Sequence, residues 1–227
     1  MMIVSLYTSR IILSILGIED FGIYSVVGGV VGIFSFLNGS MATATQRYLT
    51  FEIGTGNIEK LKKTFSLCIT IHAIIALIIV ILAETVGLWL LTTQMTIPAE
   101  RMDAAMWVYQ LSVFTCVILM ISVPYNADII AHEKMGAFAY ISIFEVTAKL
   151  LIVYLLNCID YDKLKIYAIL MFCIQVIIRS IYGAYCKRHF IETNNKFVWD
   201  SVLMKEMLGF AGWNMFGIIA GIGITQG

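Results

Sequence analysis

Long stretches without a charged residue constrain this chain more than any other feature. Four runs contain no Asp, Glu, Lys or Arg, and they cover residues 21–46, 64–83, 104–127 and 207–227. Each is long enough to supply the roughly 20 apolar residues that an α-helix needs to cross a bilayer. Three further runs are interrupted only by isolated charges, which are Arg10, Glu145, Lys149 and Arg179.

This pattern predicts an all-α, polytopic membrane helix bundle. Barrel strands need only about ten residues and alternate polar with apolar side chains, and no such alternation occurs here. Hydrophobic residues make up 60% of the chain and charged residues 13%, whereas soluble domains carry about 25% charged residues. We therefore predict seven spans, at residues 1–17, 22–47, 64–91, 104–130, 137–158, 166–186 and 207–227.

The two outermost spans look incomplete. The first has few residues before Gly17, and the last reaches Gly227 without a loop or a basic flank after it. We therefore expect a piece of a longer protein. Residues 1–206 would form an N-terminal transmembrane lobe of six helices, closed by a loop at 187–206, and residues 207–227 would be the first helix of a truncated second lobe.

Basic residues are distributed unequally among the loops. The loops after the third and fifth spans hold three, and those after the second, fourth and sixth hold nine, namely Arg47, Lys60, Lys62, Lys63, Lys134, Lys187, Arg188, Lys196 and Lys205. Because cytoplasmic loops carry the excess of Lys and Arg, we expect these nine residues and the N-terminus to lie in the cytoplasm. The 15 basic and 15 acidic residues balance, so charge indicates no nucleic-acid partner.

Charges inside the spans are the first candidates for function, because a charged side chain at the centre of a membrane helix costs about 2.5–3.5 kcal/mol. Arg10 has no partner within its own predicted helix, and we expect it to need a carboxylate or an anionic ligand. Glu145 and Lys149 are four residues apart and form either a packed pair or part of a wet cavity. Arg179 lies nearer a span end, where it could instead extend toward water. Asp128 and Glu84 are interpreted as interfacial.

The second predicted span combines small and polar side chains. Gly28, Gly32 and Gly39 fall on one helical stripe, which predicts close helix packing and also a bendable helix. Toward its cytoplasmic end, Asn38, Gln46 and Arg47 could line a polar vestibule. The predicted cavity residues are therefore Arg10, Asn38, Gln46, Arg47, Lys149 and Arg179, with Glu145 as the candidate for coupling to an ion.

Several short motifs resemble those of enzymes and metal proteins but lack the residues or surroundings that such sites need. His132-Glu133 begins like a zinc-protease motif but lacks the second histidine. Asp160 and Asp162 form an Asp-x-Asp string in a short turn, which we interpret as solvated. The five cysteines contain no Cys-x-x-Cys pair and read as small buried hydrophobes. We therefore expect no enzyme activity, no cofactor and no metal site.

Several motifs together resemble bacterial polysaccharide biosynthesis proteins of the O-antigen flippase (Wzx-like) type. Residues 6–10 read Leu-Tyr-Thr-Ser-Arg, and residues 16–24 read Leu-Gly-Ile-Glu-Asp-Phe-Gly-Ile-Tyr. The others are Ser-Phe-Leu-Asn-Gly-Ser-Met at 35–41, Ala-Thr-Gln-Arg-Tyr at 44–48, Val-Pro-Tyr-Asn at 123–126, Ala-His-Glu-Lys-Met at 131–135 and Gly-Trp-Asn-Met-Phe-Gly at 212–217. This family belongs to the superfamily of the lipid II flippases and the MATE drug exporters.

The resemblance implies two six-helix lobes facing a central cavity in the bacterial cytoplasmic membrane. It implies a polyprenyl-pyrophosphate-linked oligosaccharide as substrate, for O-antigen or capsule biosynthesis, with alternating access of the lobes. Arg10 matches in placement the cavity arginine that lipid II flippases carry in their first helix. A coupling ion, H⁺ or Na⁺, is plausible by the same resemblance, with Glu145 as the one deep carboxylate.

Three alternatives stay open beside the flippase. A MATE-type, cation-coupled small-molecule antiporter would need a cavity dominated by carboxylates and aromatic groups, whereas here in-span cations outnumber deep acids by three to one. A membrane-embedded glycosyl- or acyltransferase would need clustered catalytic groups, whereas His72, His132 and His189 lie on different elements. An inactive fragment of a flippase is the third alternative.

Overall fold

A computed structural model describes residues 2–32, 35–157, 161–193 and 198–226, and each regular element within these ranges is helical. The α-helices are α1 (Met2–Gly32), α2 (Ser35–Thr55), α3 (Ile58–Leu82), α4 (Met102–Ala131), α5 (Met135–Asn157), α6 (Lys163–His189) and α7 (Ser201–Gln226). Two π-helical turns, Ala83–Gly87 and Leu90–Gln94, extend α3, and 3₁₀ turns occupy Ala99–Arg101 and Ile191–Thr193. The predicted all-α class is confirmed.

Five helical segments are long and apolar enough to cross a membrane. They are Tyr7–Gly32, Ile58–Gln94, Ala99–Ala131, Met135–Asn157 and Lys163–His189. Their outer faces expose large apolar side chains, among them Leu77, Ile81, Trp107, Ile143 and Leu151. Apolar surface on this scale is unfavourable in water and favourable in lipid, so the chain has the character of a multi-pass membrane protein. The predicted number of six or more spans stays a prediction.

The first two predicted spans differ from the helices that form. Instead of ending near residue 17 and restarting at 22, α1 runs from Met2 to Gly32, and helical geometry within it fails only at Gly17. Gly17 adopts φ 81° and ψ 171°, a conformation that only glycine adopts readily. The predicted second span, 22–47, is divided between α1 and α2, with residues 33 and 34 outside the described ranges. The expected loop is therefore a kink at one glycine.

The two sides of the Gly17 kink pack in different places. Ile12 belongs to a core cluster with side chains of α4, α5 and α6, whereas Ile23, Val27 and Val31 belong to a second cluster with α3, α4 and α6. Farther along the chain, Met41 and Ala44 of α2 pack with earlier residues of α3 and with α7. From residue 23 to residue 49, the neighbouring residues of α3 change from those at its end to those at its start. This segment therefore runs antiparallel to α3.

Charged pairs mark two ends of the bundle. At the first end, Asp20 lies 3.0 Å from Arg101, which also pairs with Asp162 at 3.5 Å. We call this the Arg101 end. At the second, Lys63 Nζ lies 2.7 Å from Asp200 Oδ2, which ties the start of α3 to the start of α7. We call this the Lys63 end. Between them, α4 is the central helix and packs against α1, α2, α3, α5 and α6.

A tyrosine and a glycine fix the contact between α3 and α4. The Tyr109 hydroxyl of α4 donates a hydrogen bond of 2.7 Å to the Ala83 carbonyl, where α3 widens into its π-helical turn. The Tyr109 ring is fully buried, and its hydroxyl lies where a Cβ at Gly87 would stand. Only glycine therefore fits at residue 87 without displacing Tyr109.

We expect Gly87→Ala to lower the free energy of unfolding in detergent by about 1–3 kcal/mol, because the new methyl group overpacks this contact. Gly29→Ala is the matched control, since a Cβ there meets nothing within 4 Å. Tyr109→Phe removes the nearest clashing atom, so Gly87→Ala should cost less in that background. Thermal unfolding compares these four variants with the unmodified chain, and equal stability of Gly87→Ala and Gly29→Ala would contradict this packing.

Asp200 precedes α7, where it forms an ion pair and caps the N-terminus of the helix. Its Oδ1 accepts hydrogen bonds from the backbone N–H groups of Val202 and Leu203, at 3.0 and 3.1 Å, while Oδ2 faces Lys63. The hydrogen bond from Lys63, followed by those from the helix N-terminus, lowers the pKa of Asp200 below its ordinary value of 3.8. The charged form of Asp200 is therefore the one that stabilises the fold.

Because the folded-state pKa of Asp200 is depressed, its contribution is present above the unfolded-state pKa of about 4 and is lost as pH falls through the folded value. We expect Asp200→Asn to lower the thermal midpoint at pH 7 and to change it less at pH 3. Asp103→Asn serves as the control. Asp103 pairs with Lys165, but its side chain is 74% exposed, and exposed ion pairs contribute little to stability. A deficit of Asp200→Asn that is the same at both pH values would contradict the assignment.

Candidate functional site

An open cleft of about 200 Å³ lies between α1, α2, α4 and α6. Its walls are mostly apolar, and its polar side chains include Asn38, Ser112, Thr115 and Gln175. Asn38, a predicted cavity residue, presents a buried Oδ1 for which the described residues provide no hydrogen-bond donor. The cleft can therefore take an apolar group and donate or accept a few hydrogen bonds.

The glycine stripe of the second predicted span contributes space to this cleft. Gly28 and Gly32 line it, and a Cβ added at Gly28, Gly32 or Gly39 would meet nothing within 4 Å. The described helices therefore do not approach closely at these three glycines, in contrast to the packing role predicted for them. Their missing side chains leave the wall of α1 open.

Glu145 and Lys149 form the pair that their spacing predicts. Lys149 Nζ lies 2.5 Å from Glu145 Oε1, and the two side chains are 32% and 25% exposed, respectively. Gln175 of α6 donates from Nε2 to the same carboxylate oxygen at 3.4 Å. Because Gln175 also lines the cleft, Glu145 is linked to the cleft through one amide side chain.

The four cations predicted for the cavity occupy separate positions, and none is among the residues that line the cleft. The Arg179 guanidinium lies 3.8 Å from the centre of the Tyr125 ring, and that of Arg47 lies 4.3 Å from the Phe210 ring. Such contacts hold a cation over an aromatic face. Gln46 is half-buried on α2.

Arg10 is exposed on the first half of α1. Among the described residues, no ion pair, hydrogen bond or ring contact joins its guanidinium. Nearby on the same helix, Tyr7 is also exposed, and its hydroxyl lies 3.2 Å from that of Tyr154 on α5. The exposed side of α1 and α5 is thus more polar at this position than a lipid-facing surface requires.

Asp128, predicted to be interfacial, lies near the end of α4 with its side chain fully buried beside Glu192 of the 3₁₀ turn Ile191–Thr193. His132, one turn later, has Nε2 at 2.5 Å from Glu192 Oε1 and at 3.8 Å from Asp128 Oδ1. The sequence predicted no metal site, yet these three residues place one potential ligand atom each within 4.8 Å of one another.

The spacing of Asp128 and His132 could have revealed half of this cluster, because residues four apart share a helix face. Glu192 comes 60 residues after His132 and carries no local signal in the sequence. Gln175 was not predicted either, because an isolated glutamine in a membrane span carries no local signal of its role. Only the packing of α4 against α6 brings these groups together.

The remaining motifs take structural places. Asp162 pairs with Arg101, which indicates a turn that ties helix ends together, while Asp160 lies outside the described residues. Cys68, Cys116 and Cys186 are buried free thiols, in keeping with the prediction of small hydrophobes. Cys173 is exposed, and Cys158 and Lys196 lie outside the described residues.

A double-mutant cycle tests whether Glu145 and Lys149 act as one unit. We expect Lys149→Met alone to destabilise the protein, because it leaves a half-buried carboxylate without its cation. Adding Glu145→Gln should recover part of this loss, with a coupling of about 1–3 kcal/mol. Exchanging the two residues should preserve most of the stability. Additive losses in thermal unfolding would show that the two side chains are independent.

Comparison with known proteins identifies no relative: no protein-family model, no curated protein and no solved structure matches this chain. The resemblance to O-antigen flippases therefore stays a prediction that rests on the sequence motifs.

Proposed function

We propose that this chain is part of a flippase that moves polyprenyl-pyrophosphate-linked oligosaccharide across a bacterial cytoplasmic membrane, for surface polysaccharide biosynthesis. Its lobe of helices would work with a second lobe by alternating access. The observation that carries the proposal is the exposed guanidinium of Arg10 within an apolar, membrane-length segment.

The position of Arg10 makes its exposure informative. It lies within the apolar segment Tyr7–Gly32, seven residues or about 10 Å of helix before the kink at Gly17. A guanidinium in such a segment is costly in lipid and favourable in a water-filled cavity or beside an anion. A pyrophosphate offers oxygen atoms in the geometry that arginine binds best.

Other charges support an anionic substrate. Lys149 and Arg179 add two cations within membrane-length helices, and Glu145 is the only acid predicted to lie deep in a span. The motif resemblance supplies the substrate class, since it is the flippases of this superfamily that handle pyrophosphate-linked lipids. Glu145, linked to the cleft through Gln175, is the proposed group for coupling to H⁺ or Na⁺.

The distribution of basic residues supports the orientation that goes with this function. The Lys63 end carries Lys60, Lys62 and Lys63 around one surface depression, next to the start of α7. By the positive-inside tendency, this end would face the cytoplasm, where lipid-linked sugars are assembled. The Arg101 end would then face the opposite side of the membrane.

The cleft favours a second candidate, a MATE-type antiporter of small molecules. No Lys, Arg, Asp or Glu is among its lining residues, and its walls are mostly apolar. Pockets of this kind take apolar molecules and orient them with a few polar groups. An organic cation would be a suitable ligand for it, with Glu145 nearby as the coupling carboxylate.

Lipid binding by the purified chain in detergent tests the proposal. We expect a fluorescent polyprenyl pyrophosphate to bind, and Arg10→Gln to weaken this binding about tenfold or more, because a charge-assisted hydrogen bond contributes about 1.5–3 kcal/mol. Arg188→Gln is the matched control, since Arg188 is an exposed arginine in the last turn of α6, at the Lys63 end. Its binding should equal that of the unmodified chain.

Two outcomes would overturn the proposal. Absence of binding would do so, as would equal weakening by Arg10→Gln and Arg188→Gln, because the second result would reflect general attraction to positive charge. Binding of tetraphenylphosphonium in place of the polyprenyl lipid, unchanged in Arg10→Gln, would favour the antiporter.

A further inference from the structure

Asp128, His132 and Glu192 form a buried cluster at the end of α4, away from the cleft and from Arg10. Asp128 and Glu192 are 0% and 4% exposed in their side chains, and His132 is 24% exposed. The three potential ligand atoms lie within 4.8 Å of one another. The cluster therefore combines two acids and one imidazole in an almost closed site.

The carboxylate of Asp128 lacks the partners that a buried charge needs. The Asp128 carboxyl group faces that of Glu192, and no N–H or hydroxyl donor among the described residues reaches its Oδ1 or Oδ2, although both atoms are inaccessible to solvent. The nearest basic group is His132, whose Nε2 already lies 2.5 Å from Glu192 and only 3.8 Å from Asp128 Oδ1. Two buried carboxylates that face each other repel, and a cation between them removes that cost.

Arginine does not supply that cation. Arg179 is two turns before the buried Cys186, but its guanidinium is placed over the ring of Tyr125, and no salt bridge within the described ranges joins it to Asp128. The two acids thus share a single imidazole.

We propose that Asp128, His132 and Glu192 bind a divalent transition-metal ion such as Zn²⁺ or Mn²⁺. One imidazole nitrogen and two carboxylates are ligands that such ions take readily. Asp128 and His132 come from one helix face at the i,i+4 spacing that helical metal sites use. Glu192 completes the set from a separate element, the 3₁₀ turn Ile191–Thr193.

The surroundings hold the proposed ligands in place. The His132 ring stacks on Phe190, with ring centres 4.2 Å apart and planes within 8°. Thr193 fixes the turn that carries Glu192, because its hydroxyl donates to the Phe190 carbonyl at 2.9 Å. The ligands of a tetrahedral ion lie about 3.4 Å apart. Side-chain rotations of about an ångström therefore suffice to place the ion between them.

The exposed part of His132 gives the ion a route from solvent, and occupancy would clamp the end of α4 to the segment after α6. Metal binding would then be coupled to the stability of this end of the bundle. This role is independent of the proposed transport function, since it needs neither the cleft nor Arg10.

Titration of the chelator-treated chain in detergent with Zn²⁺ against a competing indicator tests the site, with Mn²⁺ as a second probe. We expect one equivalent to bind, and Asp128→Asn, His132→Gln and Glu192→Gln each to weaken binding at least tenfold. Glu133→Gln and His189→Gln are matched controls, because both residues are exposed and lie near the cluster in sequence. Their affinities should equal that of the unmodified chain.

Thermal unfolding separates a metal ligand from a residue with only a structural role. Asp128→Asn removes one of two facing buried carboxylates, so it should raise the midpoint of the metal-free protein and abolish the increase that Zn²⁺ gives the unmodified chain. A structural carboxylate would lower the midpoint in both conditions. The proposal is overturned by that result, by absence of binding, or by equal weakening in Glu133→Gln and His189→Gln.

Discussion

The need to keep charge out of hydrocarbon governs this fold. A bilayer core offers neither hydrogen bonds nor counter-ions, so backbone groups must pair within helices and ionised side chains must find partners or water. The described chain meets both conditions, because its regular elements are helices and most of its charges lie at the two ends of the bundle. At the Arg101 end, Arg101 joins Asp20, near the kink of α1, to Asp162, which precedes α6; at the Lys63 end, Lys63 and Asp200 join the starts of α3 and α7.

The charged groups that depart from this arrangement identify the regions of interest. Arg10 is exposed without a partner among the described residues, the Glu145–Lys149 pair touches the cleft through Gln175, and Asp128 is buried beside one histidine. Each is costly in an apolar environment unless a ligand, water or a metal ion meets it. The proposed functions follow from that requirement: Arg10 would meet the pyrophosphate of a lipid, and Asp128 would meet a metal ion.

The sequence predicts the helical class and the Glu145–Lys149 pair, because both depend on local spacing. Boundaries near Gly17 were less predictable, since a single glycine with non-helical backbone angles replaces the expected loop. Gly28 and Gly32 show what the spacing of small residues does not predict. The same spacing occurs where helices pack closely and where they leave a cleft, and the outcome depends on the neighbouring helices. The contact of Asp128 with Glu192 depends on tertiary packing across α4 and α6, which no local pattern contains.

The central claim is that the Arg101 end and the Lys63 end lie on opposite sides of a membrane. Single cysteines introduced at Ile18, Tyr161 and Glu59, all exposed, test it in a background without the native cysteines. Labelling of intact cells with an impermeant thiol reagent should modify Ile18→Cys and Tyr161→Cys, and should modify Glu59→Cys only after the membrane is opened. Equal labelling of Ile18→Cys and Glu59→Cys in intact cells would contradict this placement of the two ends and the account built on it.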